Sequence, residues 1–312
     1  MITNKIAKRI IPYSIWAIDS QKVDLEIMKE FDIAECGIDK DDAPFIRLKT
    51  EEIFFSFLPT EYERNIFRKY KTQLPKNLKE DHIRVAFDIS QRYCRENGLG
   101  HIPSKSYHVY PGWGFIDLGA YLGFGSIKLS RKVGTNGKVI AVEASPTAYS
   151  ILLKNIQANQ IKNIQAVHAA VKDKNGRFDF FQTEKQNNSI YPNLKDQIHF
   201  SKIKQSNAVE VTCKTLDTII EETQYPIKSL NTLVSFEING AEFLALKGGK
   251  NFLTYCPSYC LKVGARYGSG DGNSIKEQIL NFLGEYPDLF ITDSEPYIFA
   301  TRYPENVRDR FQ

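Results

Sequence analysis

The sequence predicts an α/β protein: a mostly parallel, doubly wound sheet preceded by a separate amino-terminal segment. Three observations carry this prediction. Strand-like and helix-like segments alternate after about residue 107, the order that puts helices on both faces of a parallel sheet. A glycine-rich turn joins a strand to a helix in GFIDLGAYLGFGSIKLS, residues 114–130. A break rich in Gly, Pro and Ser, NGLGHIPSKS at residues 97–106, divides this pattern from everything before it.

The amino-terminal segment is rich in Lys, Glu, Asp and aromatics. Two stretches, PTEYERNIFRKYKTQL (59–74) and DHIRVAFDISQRYCREN (81–97), have helical periodicity, and Phe87, Ile89 and Tyr93 fall near one face of the second. The basic and apolar KIAKRIIPYSIWAI is interrupted by Pro12, and no small-residue cleavage site follows it. It reads as a helix packed on the main domain in preference to one lying on a membrane surface, since no second anchoring signal accompanies it. Residues 1–105 are therefore expected to form a helical cap and residues 106–312 the main domain.

In the main domain GFIDLG leads from a strand into helix-like GSIKLSRKV, and strand GKVIAVEA into helix SPTAYSILLKNIQAN. Next come NIQAVHAAV, RFDFFQ and AVEVTCKTL, all strand-like. The last two break the alternation and read as an inserted hairpin. LNTLVSFEI is a strand, AEFLALKGGKNFL a helix, SYCLKVG a strand and SIKEQILNFLGEY a helix, and PYIFATRY suits a final edge strand.

Composition narrows the function. A chain of 312 residues accommodates a full α/β domain with an extra module. The formal net charge of +4 is too small to imply nucleic acid by itself. Five cysteines, Cys36, Cys94, Cys213, Cys256 and Cys260, are odd in number and scattered, which speaks for reduced thiols and a cytoplasmic location. Cys256 and Cys260 lack a second pair at zinc spacing, so no metal is expected. No apolar run reaches the length of a membrane span.

The glycine turn indicates the ligand. Ligands of doubly wound sheets bind at the carboxyl ends of the strands, near the topological switch point. Gly119 frees the backbone there, and Gly123 and Gly125 let the following helix start close to the strand. The spacing G-x-x-x-G-x-G is neither the dinucleotide fingerprint nor a P-loop. Asp117 at the strand end repels phosphate and attracts an ammonium group. Glu143 closes the next strand, with Ser145 as N-cap and Pro146 at the first helical position, where a carboxylate can accept both hydroxyls of a ribose. A ligand with a ribose, a cationic amino end and no phosphate is S-adenosylmethionine.

The stretch FIDLGAYLGFGSIKLSRKVGTNGKVIAVEASPTAYSILLKNIQANQIKNIQAVHAAVKDKNG, together with KTLDTIIEE and FEINGAEFLALKGG, resembles the FkbM family of S-adenosylmethionine-dependent methyltransferases over roughly residues 107–300. The resemblance implies a class I methyltransferase fold, Rossmann-like. It implies that Asp117, Gly119, Ala120, Tyr121 and Gly123 cradle the methionine end of the cofactor. Glu143 would hold the ribose, and Ala144, Ser145 and Ala170 would line the adenine. Tyr121 stands where the family usually has Asn.

SFEINGAE departs furthest from the family pattern, with Glu237 in place of Asp and Asn239 in place of Glu. Its position beside the methyl donor makes Glu237 the candidate base or substrate-orienting carboxylate. Asn239 is a candidate acceptor contact, Glu242 a first-turn helix acid, and His168 an alternative catalytic group near the cofactor. The expected reaction is methylation of a hydroxyl on a small molecule, glycan or secondary metabolite. The alternatives are N-methylation of a peptide side-chain amide and a non-catalytic cofactor-binding scaffold. Nucleic acid is not expected as acceptor: the Asn/Asp-Pro-Pro-aromatic motif and the Pro-Cys nucleophile are both missing from the sequence. Substrate selection is expected in residues 1–105 and in the polar stretch 183–207, which carries Tyr191 and His199.

Overall fold

The computed structural model describes residues 33–40, 43–48, 51–56, 109–182, 207–256, 259–264, 275–294 and 297–302. The chain divides into two compact units, Met1–Ser106 and Tyr107–Gln312.

The described part of the first unit is an antiparallel three-stranded sheet of β1 (Ile33–Ile38), β2 (Pro44–Leu48) and β3 (Ile53–Phe55), in that order. Period-two alternation in β2 buries Ile46 and Leu48, with Phe54 of β3 on the same side. Phe45 and Phe55 pair on the opposite face, ring centroids 5.7 Å apart. Between β1 and β2, Asp39 Oδ1 accepts from Ala43 N at 2.9 Å and Asp39 N donates to the Ala43 carbonyl at 3.0 Å. The helical cap expected over residues 1–105 did not include these strands. Short extended runs of alternating residues were hidden by the stronger helical periodicity after residue 58. The helix-like stretches 59–74 and 81–97 lie outside the described residues.

The second unit is built on a seven-stranded sheet. Its strands are β4 (Gly114–Leu118), β5 (Lys138–Glu143), β6 (Ile164–His168), β10 (Thr232–Phe236), β11 (Tyr259–Gly264), β12 (Phe290–Ser294) and β13 (Tyr297–Thr301), in the order β12-β13-β11-β10-β4-β5-β6. Strands β6, β5, β4, β10 and β11 run parallel; β13 runs antiparallel to β11, and β12, antiparallel to β13, returns to the direction of the parallel strands. Every residue of β4 and β10 is buried, as a strand covered on both faces requires. Alternate residues serve opposite cores. Ile116, Leu118, Val234 and Phe236 face α3 (Leu216–Glu222), α4 (Glu242–Lys247), α5 (Lys250–Tyr255) and α6 (Ile275–Gly284). Phe115, Val139 and Leu233 face α1 (Phe124–Val133), and Ala141 meets Leu152 of α2 (Pro146–Ala158).

The chain runs outward from β4 to β5 and β6, then returns to lay β10 on the other side of β4. The strand order therefore reverses between β4 and β10, the switch point at which ligands bind.

Several elements differ from the sequence expectation. NIQAVHAAV is not one strand: it leaves the main sheet at Ala169, and β7 (Ala170–Val171) joins β9 (Asn207–Lys214) and β8 (Gly176–Gln182) in a separate sheet of order β7-β9-β8. The expected hairpin is β8 and β9. AEFLALKGGKNFL breaks into α4 and α5 at Gly248 and Gly249, where a Cβ would lie 2.3 Å from the Lys172 carbonyl oxygen and 2.8 Å from Leu216 Cδ2. α3 starts on a Thr215 cap that accepts from Thr218 N at 3.0 Å. Its Asp217 accepts from Asn251 N and Phe252 N, both at 2.9 Å, supplying α5 with the start partner its own Gly249 lacks. PYIFATRY forms β13, but the edge belongs to β12, which pairs with β13 antiparallel.

Candidate active site

The strand end of β4 is held from the helix that follows it. Ser126, in the first turn of α1, donates to Asp117 Oδ2 at 2.5 Å, and the acid is 8% exposed. Gly119 has φ +88°, and a Cβ there would sit 2.2 Å from the Glu237 carbonyl oxygen. Glycine is required twice over: for the left-handed backbone and for contact with the turn after β10. At Gly123, φ is +82° and a Cβ would meet Leu152 Cδ1 at 2.3 Å, so this glycine lets α2 close on the turn. Gly119 N and Ala120 N both donate to the Val142 carbonyl, at 3.0 and 2.9 Å.

Glu143 ties the glycine turn to the end of β5. Its Oε2 accepts from Tyr121 N at 2.9 Å and its Oε1 from Ser145 N at 2.7 Å. Burial pushes its carboxyl up to about 7, with the Asp117 charge adding to the rise and the backbone N–H bonds opposing it. Tyr121 donates from a left-handed backbone, φ +52°. Asn is the residue best suited to that conformation after glycine, which gives a physical reason for the Asn usual at this position. Asn155 of α2, fully buried, donates from Nδ2 to the Leu122 carbonyl at 2.9 Å and fixes the turn from behind. The sequence reading did not assign Asn155. Its only signal was an amide on the buried side of an otherwise apolar helix.

The residues expected to border the adenine come together on the β6 side of the glycine turn. Ala144 packs against buried Ala170, Phe180, Val211 and Cys213, so the hairpin β8–β9 walls that side. Ser145 caps α2, accepting from Ala148 N at 3.4 Å. His168 pairs in register with Glu143 across β5 and β6. Its ring stacks on Tyr149 at 4.6 Å between centroids, and Nε2 lies 3.2 Å from the Ala144 carbonyl oxygen. It stands three strands from β10 in the sheet order, roughly 14 Å at the usual strand spacing.

Glu237 and Asn239 lie at the switch point. Ser235 of β10 is in register with Asp117 of β4, and Glu237 N donates to the Leu118 carbonyl at 3.0 Å. Glu237 is half-buried and directly abuts the glycine turn. Asn239 and Gly240 are both left-handed, φ +49° and +98°. Glu242, 3% exposed, accepts from Ile238 N at 3.0 Å and from Gly240 N at 2.8 Å. Burial pushes its carboxyl up to about 8, and the Glu237 charge adds to the rise. The structure thus groups Asp117, Gly119, Glu143 and Glu237 around one turn and leaves His168 on its far side. Among the described residues no group of three or more His, Cys, Asp or Glu is placed to hold a metal ion.

The FkbM methyltransferase domain matches residues 117–284, more than half of the chain. The chain belongs to the FkbM methyltransferase family. Its FkbM domain is a methyltransferase domain with a class I fold. The residues present fit S-adenosylmethionine as the donor: two buried carboxylates stand at consecutive strand ends, and the glycine turn, residues 119–123, contains no lysine.

Among solved structures the chain is similar to methyltransferase FkbM from Methylobacillus flagellatus KT, at 15% identity and TM-score 0.44, over 76% of this chain and 59% of that one. It therefore spans about three fifths of that protein's length. It is also similar to an rRNA methylase from Streptococcus thermophilus, at 8% identity and TM-score 0.36, over 63% and 89% of the two chains. A third is Aeropyrum pernix fibrillarin with natively bound S-adenosyl-L-methionine, at 11% identity and TM-score 0.35, over 87% and 99%. No match is found among curated proteins. No helix among the described residues is long and apolar enough to cross a membrane.

Proposed function

We propose that the protein transfers a methyl group from S-adenosylmethionine to a hydroxyl of a small molecule, glycan or secondary metabolite. The supporting observation is the place of Glu237, half-buried at the switch point, against the glycine turn and two residues past the register partner of Asp117. When bound, the cofactor would supply an electrophilic methyl carbon on a sulfonium, open to in-line attack by an acceptor oxygen with the thioether S-adenosylhomocysteine as leaving group.

In this reading Asp117 faces the amino end of the cofactor, with Gly119, Ala120, Tyr121 and Gly123 along its methionine chain. Glu143 takes the ribose hydroxyls on lone pairs left by its two N–H bonds. Ala144, Ser145 and Ala170 border the adenine. Glu237 orients the acceptor hydroxyl and accepts its proton, and Asn239 donates to the acceptor. His168, held at the adenine side, is assigned no chemical step. Residues 1–105 and 183–207 select the acceptor, since the turns after β4 and β5 are committed to the cofactor.

The test uses donor carrying a labelled methyl group and a panel of acceptors: sugars, hydroxylated small molecules, an Asn-containing peptide and RNA. Label in a hydroxylated acceptor is expected. Label in the peptide amide or the RNA would replace the hydroxyl reading, and no label with any acceptor would favour a cofactor-binding scaffold. Glu237→Gln should keep affinity for S-adenosylhomocysteine within a few-fold while turnover falls by roughly 10²–10⁴, the range for losing a general base. The variant should also lose the limb of the pH profile on which rate rises with pH.

A further inference from the structure

We propose that Glu242 is a positioning residue: its carboxylate holds the turn 237–240 in the shape that presents Glu237 beside the glycine turn. The inference rests on the reading of Glu237 as the acceptor-facing carboxylate.

Glu242 opens α4, but it does not behave as an ordinary helix acid. The helix start, Ala241, makes no side-chain cap bond. The carboxylate of Glu242 instead reaches back over the preceding turn, where it accepts from Ile238 N at 3.0 Å and Gly240 N at 2.8 Å. Between those two donors the chain passes through consecutive left-handed residues, Asn239 and Gly240. Asn and Gly are the residues that take this conformation most readily, so the sequence permits the turn and the bonds made to it select its shape. A backbone closure, Ala241 N to the Ile238 carbonyl, is long at 3.3 Å. The two bonds to Glu242 therefore act directly on the turn's shape.

The shape matters because there is no slack on the side of the glycine turn. The Glu237 carbonyl lies where a Cβ of residue 119 would be, so the turn after β10 and the turn after β4 pack main chain to main chain. A relaxed 237–240 turn would move Glu237 away from that contact. Glu143 provides the matching restraint on the other side, bonding Tyr121 N and Ser145 N. Two buried carboxylates thus close two neighbouring strand-end turns, one restraining the cofactor turn and one the turn that carries Glu237.

The test follows amide hydrogen exchange over residues 236–243, with S-adenosylhomocysteine affinity by calorimetry, in the full chain. In Glu242→Ala the amides of Ile238 and Gly240 should exchange at least tenfold faster. Those of β4 should be unchanged, and affinity should stay within about threefold. Glu242→Gln keeps one acceptor oxygen and should give intermediate exchange; it carries the test if the alanine variant does not fold. With the acceptor returned by the labelled-donor panel, Glu242→Gln should lower kcat at least tenfold and leave KM for the donor nearly unchanged. Glu237→Gln combined with Glu242→Gln should be no slower than Glu237→Gln alone. Unchanged exchange, or losses that multiply in the double variant, overturns the proposal. A slow Glu237→Gln beside a fully active Glu242→Gln overturns the positioning role alone, and a fully active Glu237→Gln overturns the reading of Glu237 and the positioning role with it.

Discussion

Glu143 shows how one side chain ties ligand affinity to proton affinity. Its two backbone N–H bonds favour the anion, and its burial opposes it more strongly. Ribose hydroxyls donating to the carboxylate would tip this balance toward the anion. Binding of S-adenosylhomocysteine near pH 7 should then release a proton, measurable as a dependence of the binding heat on the ionisation heat of the buffer. Glu143→Gln should abolish that dependence and weaken binding at least tenfold, since charge-assisted bonds contribute on the order of 1.5–3 kcal/mol each. Tyr121 makes a different kind of prediction. A bulky residue in the left-handed region costs about 1–2 kcal/mol, so Tyr121→Gly should raise the urea midpoint. A lower midpoint would show that packing of the Tyr121 ring outweighs the backbone strain. The placement of Asp117 and Glu143 at the ends of consecutive strands was legible in the sequence because each acid follows an apolar run just before a turn. Glu242 was legible only as a helix acid, because its bonds run backwards along the chain to a turn whose left-handed shape no pattern of hydrophobicity encodes.

Among the elements, the turn after β4 is the least forgiving. Gly119→Ala adds a methyl group that would have to displace the Glu237 carbonyl, and it keeps a strained φ. Together these should cost roughly 2–4 kcal/mol, read as a lower thermal midpoint together with lost S-adenosylhomocysteine binding. The central elements were readable because β4, β5 and β10 are continuous apolar runs, and α1 and α2 carry clear starts. Three features escaped for physical reasons. The split of NIQAVHAAV at Ala169 depends on β9, which arrives only after the hairpin. The break between α4 and α5 depends on Lys172 and Leu216 approaching two glycines. Strands β1 to β3 are short, and their pairing is set by turns such as that of Asp39, not by a long periodic signal.

On the scale of the whole molecule, two buried acids shape the response to pH. Glu143 and Glu242 have carboxyls raised from 4.5 to about 7 and about 8 in the folded chain. Between those limits the unfolded chain holds fewer protons on them than the folded one, so stability falls as pH rises. Their contribution is full below about 4.5 and lost as pH climbs through 7 and 8. Cofactor-free protein should therefore show a thermal midpoint that declines between pH 5 and 8, and substituting both residues with Gln should flatten it. The division into two compact units predicts that residues 107–312 alone keep S-adenosylhomocysteine binding but lose turnover, checked by calorimetry and the labelled-donor assay. The position of β4 inside the sheet has a consequence for synthesis. β4, β5 and β6 emerge from the ribosome as neighbours, whereas β10, the partner for the other edge of β4, is translated only after the whole hairpin. Until then β4, buried along its whole length in the finished fold, carries an unpaired row of amides and carbonyls, a template for sticking to other chains. Chains halted before residue 230 should be held by chaperones or aggregate, and a few more codons, enough to complete β10, should release them.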